Sequence, residues 1–155
     1  MSFSFHPFSD IPTAQWWALL HHPEVVRHMP LSDARWDEAA VAEWARGKDA
    51  QWEANAYGPH AIRIDGQFAG WGGFQQEGDE AEFALVLLPE FWGQGVRLFR
   101  HFMRGRAALG IGVVCVLLPP SRQRLRGLRR LGLARAGEVD CGGQRFLRFR
   151  SLDTR

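Results

Sequence analysis

The sequence lacks several features that would assign it at once to a class of protein. No apolar run approaches the roughly 20 residues that a membrane span needs, and no basic stretch leads into an apolar one at the N-terminus. The two cysteines, Cys115 and Cys141, stand 26 positions apart and outside any C-x-x-C motif, so we expect neither a disulfide framework nor a zinc site. We therefore expect a cytoplasmic protein that has no metal ion and no membrane partner.

The length and composition indicate one globular domain. A chain of 155 residues can bury one sizeable core but is short for two. Hydrophobic residues make up 46% and charged residues 23%, which is typical of folded proteins. Because no internal repeat and no linker divides the sequence, we predict a single domain over residues 1–155.

Acidic residues are scarce in the C-terminal part of the chain. Up to Val96, five basic residues stand against fourteen acidic ones, a net charge of −9. From Arg97 onward, fourteen arginines stand against three acidic residues, a net charge of +11. An asymmetry of this size indicates charged partners, such as a phosphate-rich ligand or a nucleic acid for the basic half.

Hydrophobic periodicity predicts a mostly helical first third, then an antiparallel meander, then alternating strands and helices. The predicted strands cover residues 2–8, 60–65, 67–75, 82–88, 111–118, 133–139 and 144–152. The predicted helical segments cover residues 13–20, 23–29, 33–47, 96–109 and 121–131, the third of which Gly47 ends or loosens. The strand–helix–strand unit over residues 82–118 implies one parallel pair inside a mixed sheet.

One loop carries a chemical signal. The apolar strand that contains Leu85 runs into a loop with Gly93 and Gly95, and this loop opens directly into a helix. Glycines let a ligand come close to the backbone, and the free N–H groups at a helix start attract anions, so the loop predicts a phosphate site. A dinucleotide-binding fingerprint would need a glycine at Leu98, and the Gly-Lys-Ser/Thr of a P-loop occurs nowhere.

The loop at residues 89–95, Pro-Glu-Phe-Trp-Gly-Gln-Gly, resembles that of the GCN5-related N-acetyltransferase (GNAT) superfamily, whose signature is Gln/Arg-x-x-Gly-x-Gly/Ala. It is most similar to the branch of ribosomal-protein N-terminal acetyltransferases, which often has Pro-x-Tyr/Phe-Trp-Gly-x-Gly. The segment 130–133, Arg-Leu-Gly-Leu, similarly resembles the Leu-Gly-Phe of the family. The resemblance covers most of the chain. It implies an α+β (mixed α/β) fold, with a mostly antiparallel sheet of six to seven strands and about four flanking helices.

The same resemblance implies an enzyme that transfers an acetyl group from acetyl-CoA, as cosubstrate, to a primary amine such as a protein N-terminus or a small cationic amine. Backbone groups of Leu85 and Leu87 would pair with the pantetheine arm, and N–H groups of the loop would hold the pyrophosphate. Ser121 would contact the pantetheine or cap a helix. The implied cofactor-binding residues are Leu85, Leu87, Trp92, Gly93, Gln94, Gly95, Val96, Arg97 and Ser121.

Two loop residues depart from the strict signature. Trp92 stands where the family has Gln or Arg, and Arg97 stands where it has Gly or Ala. Arg97 is bulky at a crowded helix start, so we expect its side chain to turn outward. There it either contacts a phosphate of the cofactor or is simply solvated.

Glu82 is the candidate catalytic residue, because it matches a glutamate that acts as a base in this branch, often through water. Its alternative role is that of an exposed acid in an acidic turn. The tyrosine that many family members use as the leaving-group acid is replaced by Leu128, and we expect the only tyrosine, Tyr57, to pack rather than to catalyse. Water would then protonate the thiolate.

Two other functions stay open at this point. The departures at Trp92, Arg97 and Leu128 suggest a GNAT-fold protein that binds CoA but no longer transfers an acetyl group. The arginines of residues 121–131 suggest a nucleic-acid module, but the inward leucine face of that segment makes a solvated basic face the better interpretation, so we expect no nucleic-acid partner. A homodimer is left open.

Overall fold

The computed structural model describes residues 1–28, 36–119, 126–141 and 143–152. In these residues seven strands and five α-helices form. The strands are β1 (Phe3–His6), β2 (Pro59–Ile64), β3 (Gln67–Glu77), β4 (Glu80–Leu87), β5 (Val114–Leu118), β6 (Leu133–Cys141) and β7 (Gln144–Ser151). The helices are α1 (Thr13–His21), α2 (Pro23–Val26), α3 (Glu38–Asn55), α4 (Gly95–Gly105) and α5 (Arg126–Arg130).

The strands form one mixed sheet in the order β1-β2-β3-β4-β5-β7-β6. All neighbouring pairs are antiparallel except β4 and β5, which are parallel. This arrangement confirms the predicted fold class, and the parallel pair is the one that the strand–helix–strand pattern predicts. The sheet has seven strands, at the upper end of the predicted number.

The sheet carries a separate hydrophobic core on each face. One core joins α4 to the sheet through Leu98, Phe99 and Phe102, which pack with Phe74 and Phe83. The other core joins α1 and α3 to the opposite face and is rich in stacked or edge-on aromatic rings. Its members include Phe8, Trp16, Leu19, Val41 and Trp71. Side chains alternate between these two cores along β4, because successive residues of a strand point to opposite faces.

Helix α3 differs from its prediction in both bounds. It begins at Glu38, where the Asp37 carboxylate accepts a hydrogen bond of 2.7 Å from the Ala40 N–H, and it runs through Gly47 to Asn55. A single interior glycine costs a helix only about 1 kcal/mol, and the residues that follow it favour the helix, so Gly47 does not stop it. The helix ends instead at Ala56, which takes a left-handed conformation (φ 62°).

A two-residue hairpin turn joins β2 to β3, within the predicted antiparallel meander. Asp65 and Gly66 both have positive φ (50° and 81°), as a two-residue turn between right-twisted strands requires. Strand β5 is shorter than predicted and begins at Val114 rather than at residue 111. The predicted start of the last helix, at Ser121, lies outside the described residues.

Candidate active site

The sheet opens at the parallel pair. In the described part of the chain, β4 and β5 are paired only at Ala81 with Val114 and at Glu82 with Cys115. Beyond Glu82 the two strands diverge, β4 continuing to Leu87 and β5 pairing with β7. The edge of β4 that follows Glu82 is therefore available to an extended ligand, which could add to it as a strand does. Glu82 lies at the apex of this fork.

The N-terminus of α4 lies next to the fork. Residues Pro89–Gln94 form a 3-10 helix that leads into α4 at Gly95, and no side chain caps the helix start. A Cβ at Gly93 would meet no atom within 4 Å, and one at Gly95 would meet only the Leu85 side chain, at 3.8 Å. The first turn of α4 thus has no side-chain cap and is open to a ligand, while the Gly95 N–H donates to the carbonyl oxygen of Trp92. An open helix start is the geometry that binds phosphate.

Trp92 connects this loop to the end of β4. Its indole Nε1–H donates a hydrogen bond of 2.8 Å to the carbonyl oxygen of Leu87, while the side chain stays 44% exposed. The ring also meets His28 edge-on, with 5.8 Å between centroids. Trp92 therefore holds the loop against the strand from which the fork opens.

The side chain of Arg97 is exposed, as the sequence predicts. Its guanidinium carbon lies 5.5 Å from the centroid of the Phe3 ring, and Nη1 donates weakly to Oε1 of Gln94, the residue before α4, at 3.4 Å. The guanidinium therefore lies between β1 and the start of α4.

Glu82 projects from the face of β4 that packs towards α1 and α3, whereas Leu85 and Leu87 project towards α4. Burial, with a contribution from the charge of Glu77, raises the pKa of the Glu82 carboxyl to about 7; a hydrogen bond from Gln75 and the charge of Lys48 oppose the rise. The carboxyl is half-buried rather than freely exposed. A carboxyl with a pKa near neutrality is suited to accept and return a proton at ordinary pH.

Sequence reasoning missed two neighbours of Glu82. Gln75 lies directly opposite Glu82 in the β3–β4 register, and its Nε2 donates to Glu82 Oε1 at 3.3 Å. Lys48, the only lysine of the chain, donates from Nζ to Gln75 Oε1 at 2.5 Å. Counting back from the turn at Gly78 and Asp79 would have paired Gln75 with Glu82, because a tight turn fixes hairpin register. Nothing in the local sequence places Lys48 there.

The only tyrosine, the leucine at the family's tyrosine position and two histidines of the helical first third all have contacts of their own. Tyr57 and Leu128 are half-buried and pack against the core on the α4 face. His21 contacts the carbonyl oxygen of Trp17 through Nδ1 (2.7 Å), and His22 Nδ1 accepts from the Glu24 N–H at the start of α2. These contacts give each side chain a structural role.

Ion pairs account for part of the positive charge of the C-terminal half. Arg148 and Arg150 of β7 both pair with Glu80, the first residue of β4, and β5 lies between these two strands in the sheet. Arg135 and Arg145 both pair with Glu138, at 3.2 and 2.7 Å. By contrast, Arg100, Arg104, Arg106 and Arg130 line adjoining grooves beside α4.

The sequence of the chain matches the model of a known protein family, and this match shows to which family the chain belongs. The model described as an acetyltransferase (GNAT) domain matches residues 4–98, which include β1 to β4, the 3-10 helix and the start of α4. The chain belongs to the GNAT acetyltransferase family. Strand β4 and the open helix start lie within the match and therefore belong to a GNAT domain, whereas β5 lies beyond it. No curated protein sequence gives a significant match to the chain.

Solved structures show the same fold. A proposed GnaT-family acetyltransferase from Bordetella pertussis is 20% identical, with a TM-score of 0.73, over 96% of this GNAT chain and 94% of that one. An aminoglycoside acetyltransferase, AAC(6')-Ib, in complex with coenzyme A is 17% identical, with a TM-score of 0.69 and coverage of 97% and 94%. A proposed acetyltransferase from Salmonella typhimurium, solved with its cofactor acetyl-CoA, is 16% identical, with a TM-score of 0.71 and coverage of 100% and 95%.

The described residues contain neither a membrane-spanning helix nor a cluster of metal ligands. None of their helices is both long and apolar enough to cross a membrane. Within residues 1–28, 36–119, 126–141 and 143–152, no three His, Cys, Asp or Glu side chains come together as metal ligands. Both cysteines are free thiols there, Cys115 buried and Cys141 half-buried.

Proposed function

We propose that this GNAT protein is an acetyl-CoA-dependent N-acetyltransferase that acts on a primary amine, either a protein N-terminus or a small cationic amine. The observation that carries the proposal is the position of Glu82. Its carboxyl lies at the apex of the β4–β5 fork, on one face of the sheet, while the uncapped start of α4 lies beside the fork on the other face. One extended ligand could therefore reach both the phosphate-binding loop and the basic group.

The residues present fit acetyl-CoA. When bound, this cosubstrate supplies the acetyl group as a thioester. The free edge of β4 at Leu85 and Leu87 would hydrogen-bond the amides of its pantetheine arm, and the N–H groups of the first turn of α4 would bind its pyrophosphate. Because the Leu87 carbonyl already accepts the Trp92 indole, only its remaining lone pair is available to the ligand. The full proposed set is Leu85, Leu87, Trp92, Gly93, Gln94, Gly95, Val96 and Arg97, together with Ser121.

The opposite face of the fork supports an amine acceptor. Helices α1 and α3, which cover this face, lie among the residues up to Val96. Those residues carry a net charge of −9, which attracts a cationic amine. Among the solved relatives, AAC(6')-Ib was also determined with coenzyme A and kanamycin. A polycationic small molecule is therefore one of the two acceptor classes that we would test.

Glu82 then acts as the general base. It takes a proton from the acceptor ammonium, directly or through a water molecule, and the neutral amine attacks the acetyl carbonyl. The C–N bond forms as the C–S bond breaks; the nitrogen, cationic after the attack, gives its surplus proton to a water molecule, and the thiolate takes up a proton from the same solvent. Glu82 then releases its own proton to solvent, which returns it to the ionised form. No tyrosine is required, which agrees with the packing of Leu128 and Tyr57 against the core.

The test replaces Glu82 by Gln and supplies acetyl-CoA with a panel of polyamines, aminoglycosides and peptides with free N-termini. We expect turnover to fall by roughly one to two orders of magnitude, while acetyl-CoA still binds. Glu53→Gln, on the exposed surface of α3, is the matched control and should leave turnover unchanged. Equal turnover in the wild type and in Glu82→Gln would remove Glu82 from the mechanism.

A second candidate function is that of a GNAT-fold protein that binds CoA without transfer. The replacement of the family tyrosine by Leu128, whose side chain packs against the core, favours it. Acetyl-CoA would then raise the melting temperature, while no amine of the panel gave a product. We further propose that the chain is a single domain located in the cytoplasm. Within the family we place it nearest the branch that acetylates ribosomal-protein N-termini. Sedimentation of the purified chain will test for a homodimer.

A further inference from the structure

Lys48 occupies an unusual place for a lysine. It lies in the middle of α3 and turns towards the sheet, where its ammonium group lies 4.3 Å from the centroid of the Trp71 ring and 5.6 Å from that of Trp44. Aromatic faces attract cations, so the two indoles hold the ammonium group in a fixed position. Burial lowers the pKa of Lys48 to about 8, and the charge of Glu82 opposes this change. The Lys48 ammonium group therefore stays beside the Trp44 and Trp71 rings, although it would be better solvated in water.

The ammonium group fixes the orientation of the Gln75 amide. Gln75 Oε1 accepts from Lys48 Nζ at 2.5 Å and from Gln51 Nε2 at 3.2 Å. With two donors on its oxygen, the amide cannot turn its NH2 group towards α3. That group points instead across the β3–β4 pair to Glu82, 3.3 Å away. The hydrogen bonds thus form a continuous chain from Lys48 through Gln75 to Glu82.

We propose that Lys48 is a positioning residue for Glu82, acting through Gln75 to orient the carboxylate at the fork and to stabilise its ionised form. The inference rests on the proposed function, in which Glu82 is the base. Lys48 does not touch the acceptor in this scheme. It works because an amide held by two donors presents its own donor to the carboxylate, and because its charge favours the ionised carboxyl.

The charged groups around Glu82 set the direction of the expected effect. Lys48 faces it from α3 and Glu77 from β3, while Cys115, next to it on β5, has Arg148 of β7 as a neighbour. Glu77 raises the pKa of Glu82, whereas the Gln75 hydrogen bond and the Lys48 charge lower it. Removing Lys48 takes away its charge and one of the two donors that orient the Gln75 amide, so Glu82 should ionise only at higher pH.

The decisive experiment is a direct titration of the Glu82 carboxyl by ¹³C NMR, with the signal assigned by its loss in Glu82→Gln. We expect the midpoint in Lys48→Met to rise by roughly one pH unit over the wild type. Gln75→Leu, which removes the relay but keeps the lysine, should raise it in the same direction. If Gln75 transmits most of the effect, the double variant should titrate close to Gln75→Leu. Arg46→Met removes an exposed cation from the same helix and is the matched control.

The acid limb of the kcat/KM profile against pH should move with the NMR midpoint, and it should not move in the control. A Glu82 midpoint that stays in place in Lys48→Met would overturn the proposal, and so would a loss of activity that is equal at every pH. An unchanged midpoint in Gln75→Leu would overturn the part that assigns the relay to Gln75. Failure of the proposed function is a separate result, because it is an absence of product with every amine. The titration still reports on Lys48 in that case, since it needs no substrate.

Discussion

Replacing Glu82 by Gln should also change how the stability of the protein depends on pH. Burial, aided by Glu77, raises the pKa of this carboxyl from 4.5 to about 7 in the folded state. A carboxyl with a raised folded-state pKa contributes most to folding below pH 4.5, where both states are protonated. The contribution is lost as the pH rises through 7, because the folded chain must then hold a charge that the unfolded chain solvates freely.

The magnitude follows from the two pKa values. A rise from 4.5 to about 7 corresponds to about 3 kcal/mol in the unfolding free energy once the carboxyl is fully ionised. About 2 kcal/mol of this develops between about pH 5.5 and pH 8.5. Lys48, with its pKa lowered to about 8, has the opposite dependence. Because the charge of Glu82 raises the Lys48 pKa, that pKa falls further in Glu82→Gln, and the change in Lys48 also favours the variant as the pH rises. Gln has no charge to bury and can keep the hydrogen bond with Gln75.

The assay is urea or thermal unfolding of the wild type, Glu82→Gln and the surface control Glu53→Gln at the two pH values. Between the lower and the higher pH, the unfolding free energy of Glu82→Gln should rise relative to that of the wild type by about 2 kcal/mol. This corresponds to about 4–8 °C in Tm for a domain of this size. The control should follow the wild type at both values. Parallel pH profiles for the wild type and Glu82→Gln would refute the reasoning, since they would mean that the carboxyl is solvated like a surface acid.

Two further predictions concern the cosubstrate loop. Gly95→Trp should abolish acetyl-CoA binding without unfolding the protein, because Gly95 has helical φ and ψ and a Cβ there meets only Leu85. Calorimetric titration with acetyl-CoA tests this, with Gly95→Ala as the control. Retained affinity in the tryptophan variant would refute the phosphate-loop assignment. Trp92→Phe should weaken acetyl-CoA binding about fivefold, since losing the hydrogen bond to Leu87, worth about 1 kcal/mol, frees the loop from β4. Tighter binding would mean that the indole competes with the ligand for the Leu87 carbonyl.

Much of the fold follows from local rules that the sequence obeys. The Asp65-Gly66 turn sets the β2–β3 hairpin, and the change of hydrophobic period around Pro89 places a helix between two parallel strands. Helix bounds were less predictable, because the cost of Gly47 inside α3 is small beside the burial of that helix against the sheet. The helix ends at Ala56 in a left-handed conformation, where the sequence has neither of the residues, Gly or Asn, that usually mark such an end.

The candidate site divides in the same way. The loop around Gly93 and Gly95 is a contiguous segment, so its residues and their order alone indicate a phosphate site, and the same segment carries the resemblance to the GNAT family. The surroundings of Glu82 are not contiguous. Lys48 reaches it from a helix 34 positions earlier in the chain, through an amide on the neighbouring strand. Only packing of α3 on the sheet brings these groups together and withdraws them from water.

The sequence by itself therefore determined the family, the order of the elements and the opposite charges of the two halves, since each is a property of residues counted along the chain. The tertiary structure alone decided that β4 and β5 diverge after Glu82 and that four of the surplus arginines are taken up by Glu80 and Glu138. It also decided the ionisation of Glu82. A pKa depends on desolvation and on charges close in space, and both exist only once the chain has folded.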